Sequence, residues 1–201
     1  MKILSIAVAA LTLAFCGCAS SSVKQTWKSP SYNGGPVEKV AVLVMTGRDF
    51  YRQAIENHFA ALLNGQGQSA FITHNLFTPS AAKADREAAA ARLRQSGADS
   101  VLVVRLVDSA TYSQQARGGA PEFTSSPTEI YSYLGMRSDA SWNSFQTDVY
   151  IESTLYKLTS GERLWSGLTR TVLKENADPV AKIEPLAKKL FTLMRQDGVI
   201  H

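Results

Sequence analysis

Two thiols, three imidazoles and a scatter of carboxylates and hydroxyls are the groups in this chain able to do covalent or acid–base chemistry. Both cysteines, Cys16 and Cys18, lie within the opening stretch MKILSIAVAALTLAFCGCAS. One basic residue, Lys2, precedes an apolar run from Ile3 to Phe15, and small Gly17 stands directly before Cys18. A bilayer-crossing helix needs about 20 apolar residues. This run is shorter and has the basic start and small-residue end of a cleaved secretory signal, which assigns residues 1–17 to a signal peptide. Cleavage before Cys18 makes that cysteine the new N-terminus. A cut after Ala19, which leaves a plain secreted chain, and an uncleaved anchor are the competing products.

The remaining reactive groups do not converge on a reaction. His58 lies in a helical segment, His74 at a strand end and His201 at the terminus, with no two at metal-ligand spacing. Asp148 and Glu152 fall on one face of one expected strand, ~13 Å apart at the usual rise per residue, too far for paired glycosidase carboxylates. Asp99 and Asp108 flank another strand without a partner base or nucleophile. No serine sits in a Gly-x-Ser-x-Gly elbow, and Gly47 is a lone glycine rather than a phosphate loop. Arg48 and Arg52 could meet an anion, though ordinary surface charges need no such role. No cofactor and no metal ligand set is expected, and a cell-wall hydrolase is the weakest of the functional readings.

The chain has 201 residues, 45% hydrophobic and 19% charged, with a net charge of +4 that falls to +3 when Lys2 leaves with the signal. That balance is too mild to argue for nucleic acid. The length suits one domain with a core of its own. Once Cys16 is removed and Cys18 is modified, no thiol remains for a disulfide, so packing alone must hold the domain.

The elements that position these groups follow from periodicity. Residues 18–36 hold Ser, Pro, Asn and Gly and read as a tether, with Trp27 as an anchor onto a single domain over 37–201. Lys39–Met45, KVAVLVM, is continuously apolar and suits a strand buried on both faces. Tyr51, Ile55, Phe59, Leu62 and Leu63 make a helical stripe that Gly65 and Gly67 end. A short strand over 69–74 precedes one alanine-rich helix over 80–96, opened by Thr78-Pro79-Ser80, and a third strand spans Asp99 to Val107. Such alternation implies parallel strands joined by right-handed crossovers. From Phe145 to Leu155 apolar and polar residues alternate, which predicts a strand with one wet face bearing Asp148 and Glu152. Thr159-Ser160-Gly161 turns it into an antiparallel partner over 163–173, and Asp178-Pro179 opens a last helix, ended by Gly198, whose first turns Pro185 kinks or whose true start it marks. The expected fold is α/β: β-α-β-α-β, then a hairpin and a C-terminal helix, with a mixed five-stranded sheet carrying the helices.

Residues 113–143 break the pattern. They are rich in Gln, Gly, Pro and Ser, with Phe123, Tyr131, Tyr133 and Trp142 interspersed. A long loop inside a small domain is functional or disordered, and tyrosine and tryptophan supply much of the contact energy of interfaces. These four residues are the partner-binding candidates, self-packing of the loop being the alternative. Trp165, in the hairpin beside Gly167, is expected in the packed interior.

Gly17-Cys18 resembles the lipobox of bacterial lipoproteins, with Phe15 where that pattern prefers leucine. The segments KVAVLVM, GADSVLVVRLVD, VYIESTLYKLTSGERLWSG and the closing RQDGVI resemble small bacterial outer-membrane lipoproteins of largely unknown role. The architecture is similar to that of the curli secretion lipoprotein, the N-terminal domain of the Tol-system propeller protein, and lipoprotein activators of cell-wall synthases. The resemblance implies a diacylglyceryl thioether and an N-acyl chain such as palmitate on Cys18. Ala19, rather than Asp, then implies sorting to the periplasmic face of the outer membrane. It further implies a binding or assembly module rather than an enzyme, meeting a periplasmic or outer-membrane protein partner. A structural homo-oligomer is the alternative.

Overall fold

The computed structural model describes residues 21–107, 148–172 and 179–201. Its strands are β1 (Ser21–Lys28), β2 (Lys39–Met45), β3 (Ser69–Ile72), β4 (Ser100–Val107), β5 (Asp148–Lys157) and β6 (Arg163–Val172). Its helices are α1 (Asp49–Gly65), α2 (Pro79–Ala84), α3 (Arg86–Gln95) and α4 (Pro179–Gln196). The strands form one mixed sheet in the order β1-β6-β5-β4-β2-β3. β2 pairs in parallel with β3 and β4, whereas β4–β5, β5–β6 and β6–β1 are antiparallel.

The continuous apolar runs of β2 and β4 are divided between two cores by the two-residue period of a strand. Val40, Val42, Val44, Leu102 and Val104 join Ile55, Phe59, Leu63, Leu186, Leu190 and Phe191 of α1 and α4. Ala41, Leu43, Val101 and Val103 face the other way, onto Ala82, Ala89 and Leu93 of α2 and α3. Phe59 and Phe191 meet edge to face at 5.4 Å and lock α1 against α4. The alanine face packs close to the sheet, as its small side chains require.

Several expectations change. The sheet has six strands, not five, because Ser21–Lys28 of the expected tether adds along β6. Polar SSVKQTWK carries no strand signature of its own; the open edge of β6 supplies the missing partner for its backbone groups. The pairing slips at a bulge between Val23 and Gln25, and Lys24 and Lys28 are exposed, features that discourage further strands from adding to an edge. Trp27 does anchor the segment, with the Arg163 guanidinium 3.9 Å from its ring centroid.

The helix expected over 80–96 is two helices. Asp85 leaves helical geometry and accepts a hydrogen bond from the Ala88 amide, capping α3, while Thr78 caps α2 through the Ala81 amide. The strand expected over 69–74 stops at Ile72. Among its described side chains the hairpin strand shows no wet face: Glu152, Ser153 and Thr154 are all buried. β5 lies between β4 and β6, and β1 on the far side of β6 makes that strand interior as well. α4 starts at Pro179 and continues through Pro185, so Pro185 does not mark its start. The aromatic loop over 113–143 lies outside the described residues.

The C-terminus is fastened to the same core. Gly198, at φ +70°, turns the chain out of α4 so that Val199 and Ile200 are buried, and the Val37 amide donates to the Val199 carbonyl at 3.0 Å. Trp165 is fully buried, as expected, and its indole N–H donates to Asp197 at 2.7 Å.

The Trp165 ring lies beside Gly167 on the same strand. A Cβ on residue 167 would overlap the Trp165 ring and come within 3.0 Å of Leu190 Cδ2. Gly167→Ala is therefore expected to cost about 1–3 kcal/mol through overpacking. Urea unfolding measures it, and an unchanged midpoint would show that the indole can shift without penalty.

Candidate functional site

In open α/β sheets the crevice that takes a ligand lies beyond the carboxyl ends of parallel strands, where successive crossovers depart in opposite directions. Here that point lies between β2 and β4. From β2 the chain crosses by α1 to β3 on one side, and from β3 it returns by α2 and α3 to β4 on the other. Thr46, Arg48, Arg52, Glu56, Thr73, His74 and Arg105 gather at this end of the sheet.

Glu56 occupies its centre. The carboxylate is wholly buried and accepts from the Val44 amide (3.1 Å), Arg52 Nε (3.0 Å), the Thr73 amide (2.9 Å), Thr73 Oγ1 (3.0 Å) and the His74 amide (2.7 Å). His74 Nδ1 also lies 3.0 Å from it. Arg52, only 2% exposed, spends its other nitrogens on the Phe77 carbonyl (2.9 Å) and Thr73 Oγ1 (3.3 Å), with its guanidinium against the Phe77 ring. One helical turn separates the two charges, so α1 presents both toward the ends of β2 and β3.

This arrangement is closed. A buried charge is tolerable only when its partners and hydrogen bonds are complete, and Glu56 and Arg52 complete one another. Arg52 is thereby unsuited to the anion role weighed for it. Arg48 sets its guanidinium over Tyr51, 5.8 Å from the centroid. On β4, Arg105 Nε donates to Glu152, and the half-buried arginine covers a buried carboxylate where an exposed one was expected. Between them Val44, Met45, Ile55, Phe59, Val104, Ile151 and Ile183 line an apolar cavity of about 10 Å³, the space of one water at most.

The other candidates are dispersed. His58 faces Glu184 of α4 at 3.7 Å, between the two helices. Asp99 is at the opposite end of the sheet. Its carboxylate accepts from the Glu38 and Lys39 amides (3.1 and 3.0 Å) and from Lys157 Nζ (3.1 Å), joining the starts of β2 and β4 to the end of β5. Partial burial pushes the Asp99 carboxyl up, but the two amides and the Lys157 ammonium outweigh it and hold the group below its ordinary value of 3.8. Among the described residues no three His, Cys, Asp or Glu side chains group as metal ligands, and no helix is long and apolar enough to cross a membrane. Cys18, Phe123, Tyr131, Tyr133, Trp142 and Asp108 lie outside the described residues.

The Glu56 centre escaped the sequence reading, although a signal was present. Arg52 and Glu56 fall in the stripe of Phe59 and Leu63, where surface charges do not belong.

No protein-family model and no curated protein matches the chain. Among solved structures, a single-substitution variant of the PelC dodecamer from Paraburkholderia phytofirmans is 14% identical, with a TM-score of 0.46 over 85% of this chain and 95% of its own. The PelC dodecamer from the same organism, in a second crystal form, is also 14% identical, with a TM-score of 0.45 and coverage of 86% and 96%. Lipoprotein GNA1162 from Neisseria meningitidis is 13% identical, with a TM-score of 0.41 over 79% of this chain and 96% of its own. Likenesses of this size are similarities of outline, and no activity follows from them.

Removing one member of a buried charge pair leaves the other uncompensated, which typically costs about 3–5 kcal/mol. Glu56→Gln should fall in that range in urea unfolding; a loss under about 1 kcal/mol, the worth of one ordinary hydrogen bond, would mean the carboxylate is not the hub. Asp99 gives a pH dependence. Its folded value lies below the unfolded one, so its contribution is complete above about pH 4 and disappears as pH falls through the lowered value. Asp99→Asn should flatten the acid side of the stability profile in that window and leave the pH dependence above it unchanged.

Proposed function

We propose that the chain is a lipid-anchored envelope protein on the periplasmic face of the outer membrane, acting there as a non-enzymatic binding or assembly module. The observation that carries this reading is Gly17-Cys18 at the end of a short apolar run, followed by no further cysteine. One acyl chain holds a protein only marginally, because each buried CH₂ contributes ~0.8 kcal/mol. The three chains of a bacterial lipoprotein make attachment effectively permanent.

The polar groups at the carboxyl ends of the parallel strands support a module rather than a catalyst. Glu56 and Arg52 spend their hydrogen-bonding capacity on each other and on neighbouring backbone. Recognition is assigned to Phe123, Tyr131, Tyr133 and Trp142 in the 113–143 stretch, with a periplasmic or outer-membrane protein as partner.

The N-terminal peptide of the membrane-extracted protein is expected to carry a triacyl mass on Cys18, and Cys18→Ser is expected to move the protein out of the membrane fraction. An unacylated N-terminus on the mature product defeats the anchored reading. Crosslinking in cells through residues 123–142 should trap one dominant partner. Deletion of that stretch with every partner retained would remove it from the binding role. Crosslinks exclusively between copies of the chain would favour the homo-oligomer.

A further inference from the structure

We infer that the end of the sheet where β2 and β4 finish is seated directly on the bilayer, with Phe50 entering the headgroup layer. The inference rests on the lipid at Cys18 and adds to it a direction and a contact.

The direction comes from strand topology. β4 to β5, β5 to β6 and β6 to β1 each reverse the chain, so β1 begins at the end where β4 finishes. Its first residue, Ser21, pairs with Thr171 near the close of β6, and the two hydroxyls lie 2.9 Å apart in the interior. Ala19 and Ser20 alone separate Ser21 from Cys18. Three residue steps span at most ~11 Å. The ten residues of β6 cover ~33 Å along the sheet. The turn at Thr159–Gly161, at the other end of β6, therefore lies well beyond the reach of that leash when the domain stands on its β1 end.

The contact comes from α1. Phe50 is 75% exposed and is the one large hydrophobic side chain left open to solvent among the described residues. A solitary exposed phenylalanine needs no explanation; its position is what singles it out. It sits in the first turn of α1, immediately after β2, at the same end of the sheet as Ser21. Its ring meets Tyr51 edge-on at 5.6 Å, and Tyr51 in turn carries the Arg48 guanidinium. An apolar ring beside a tyrosine and a cation is the side-chain set that favours a headgroup boundary, where the apolar body is buried and the polar tip stays wet.

The test uses the full chain, processed in a bacterium and extracted with its lipid, with the N-terminal peptide weighed first. A thiol introduced by Asp49→Cys or Thr159→Cys, both exposed positions, carries an environment-sensitive dye. The acylated protein is reconstituted into phosphatidylethanolamine–phosphatidylglycerol vesicles containing nitroxide lipids. Emission at 49 is expected to be quenched, emission at 159 is expected to survive, and Phe50→Ser is expected to relieve the quenching at 49. In protein whose acylation has been weighed, equal quenching at both positions, or at neither, overturns the orientation. Undiminished quenching at 49 in Phe50→Ser overturns the entry of the ring. An unacylated N-terminus instead defeats the anchored reading itself, so the two failures are told apart.

Discussion

The antiparallel pairing of β1 with β6 is the constraint on which the rest of the molecule turns. A polar N-terminal segment would ordinarily hold a folded domain at a variable distance from its anchor, with a reach that grows as the square root of its length. Here the segment is spent on hydrogen bonds. Ser21 to Lys28 runs along β6, Trp27 is held by Arg163, and the Ser29 amide donates to the Leu164 carbonyl at 2.9 Å before the chain turns toward β2. What remains between Cys18 and the sheet is shorter than the sheet is tall. A group attached at that cysteine would thus lie next to the folded body itself rather than at the end of a flexible stalk.

The same pairing closes the edge of the antiparallel half. With β1 in place, β6 is an interior strand, as β5 already is between β4 and β6, and Ser153, Thr154, Ser166 and Thr169 on these two strands are buried. Hydroxyls and a carboxylate would be poor interior residues if isolated. Local bonds answer part of this cost: Glu152 takes Arg105, and Thr169 Oγ1 donates to the Ile151 carbonyl at 3.0 Å, whereas Ser153 Oγ and Thr154 Oγ1 are buried with no hydrogen-bond partner among the described residues. The parallel half solves its own problem with Glu56, which collects the amides at the ends of β2 and β3 that no further strand residues remain to bond. Both halves therefore finish their strands on charged side chains at one end of the sheet, whereas Asp99 gathers strand starts at the other.

How much of this could be read from the residues depended on where each element's partner comes from. KVAVLVM and SVLVVRLV declare themselves because a strand buried on both faces needs apolar residues at every position. The stripe of α1 and the φ-positive glycines 67, 161 and 198 are equally local signals. β1 is not local: SSVKQTWK becomes a strand only because β6, far along the chain, offers an edge. The wet face expected for β5 failed for a related reason, since alternation reports polarity and not what covers each face of the sheet. The Glu56 centre sits between these cases. Its spacing from Arg52 is plain, but an i,i+4 pair ordinarily lies on a surface, and only the arrival of Thr73 and His74 from β3 encloses it.

The topology also bears on where recognition can occur. Val107 pairs with Tyr150, so the chain leaves β4 and re-enters at β5 on neighbouring strands at the end where β1 begins. The segment holding Phe123, Tyr131, Tyr133 and Trp142 is thus rooted at the end nearest Cys18. If a lipid at Cys18 sets that end against a membrane, the roots of the segment at Val107 and Tyr150 lie close to its surface.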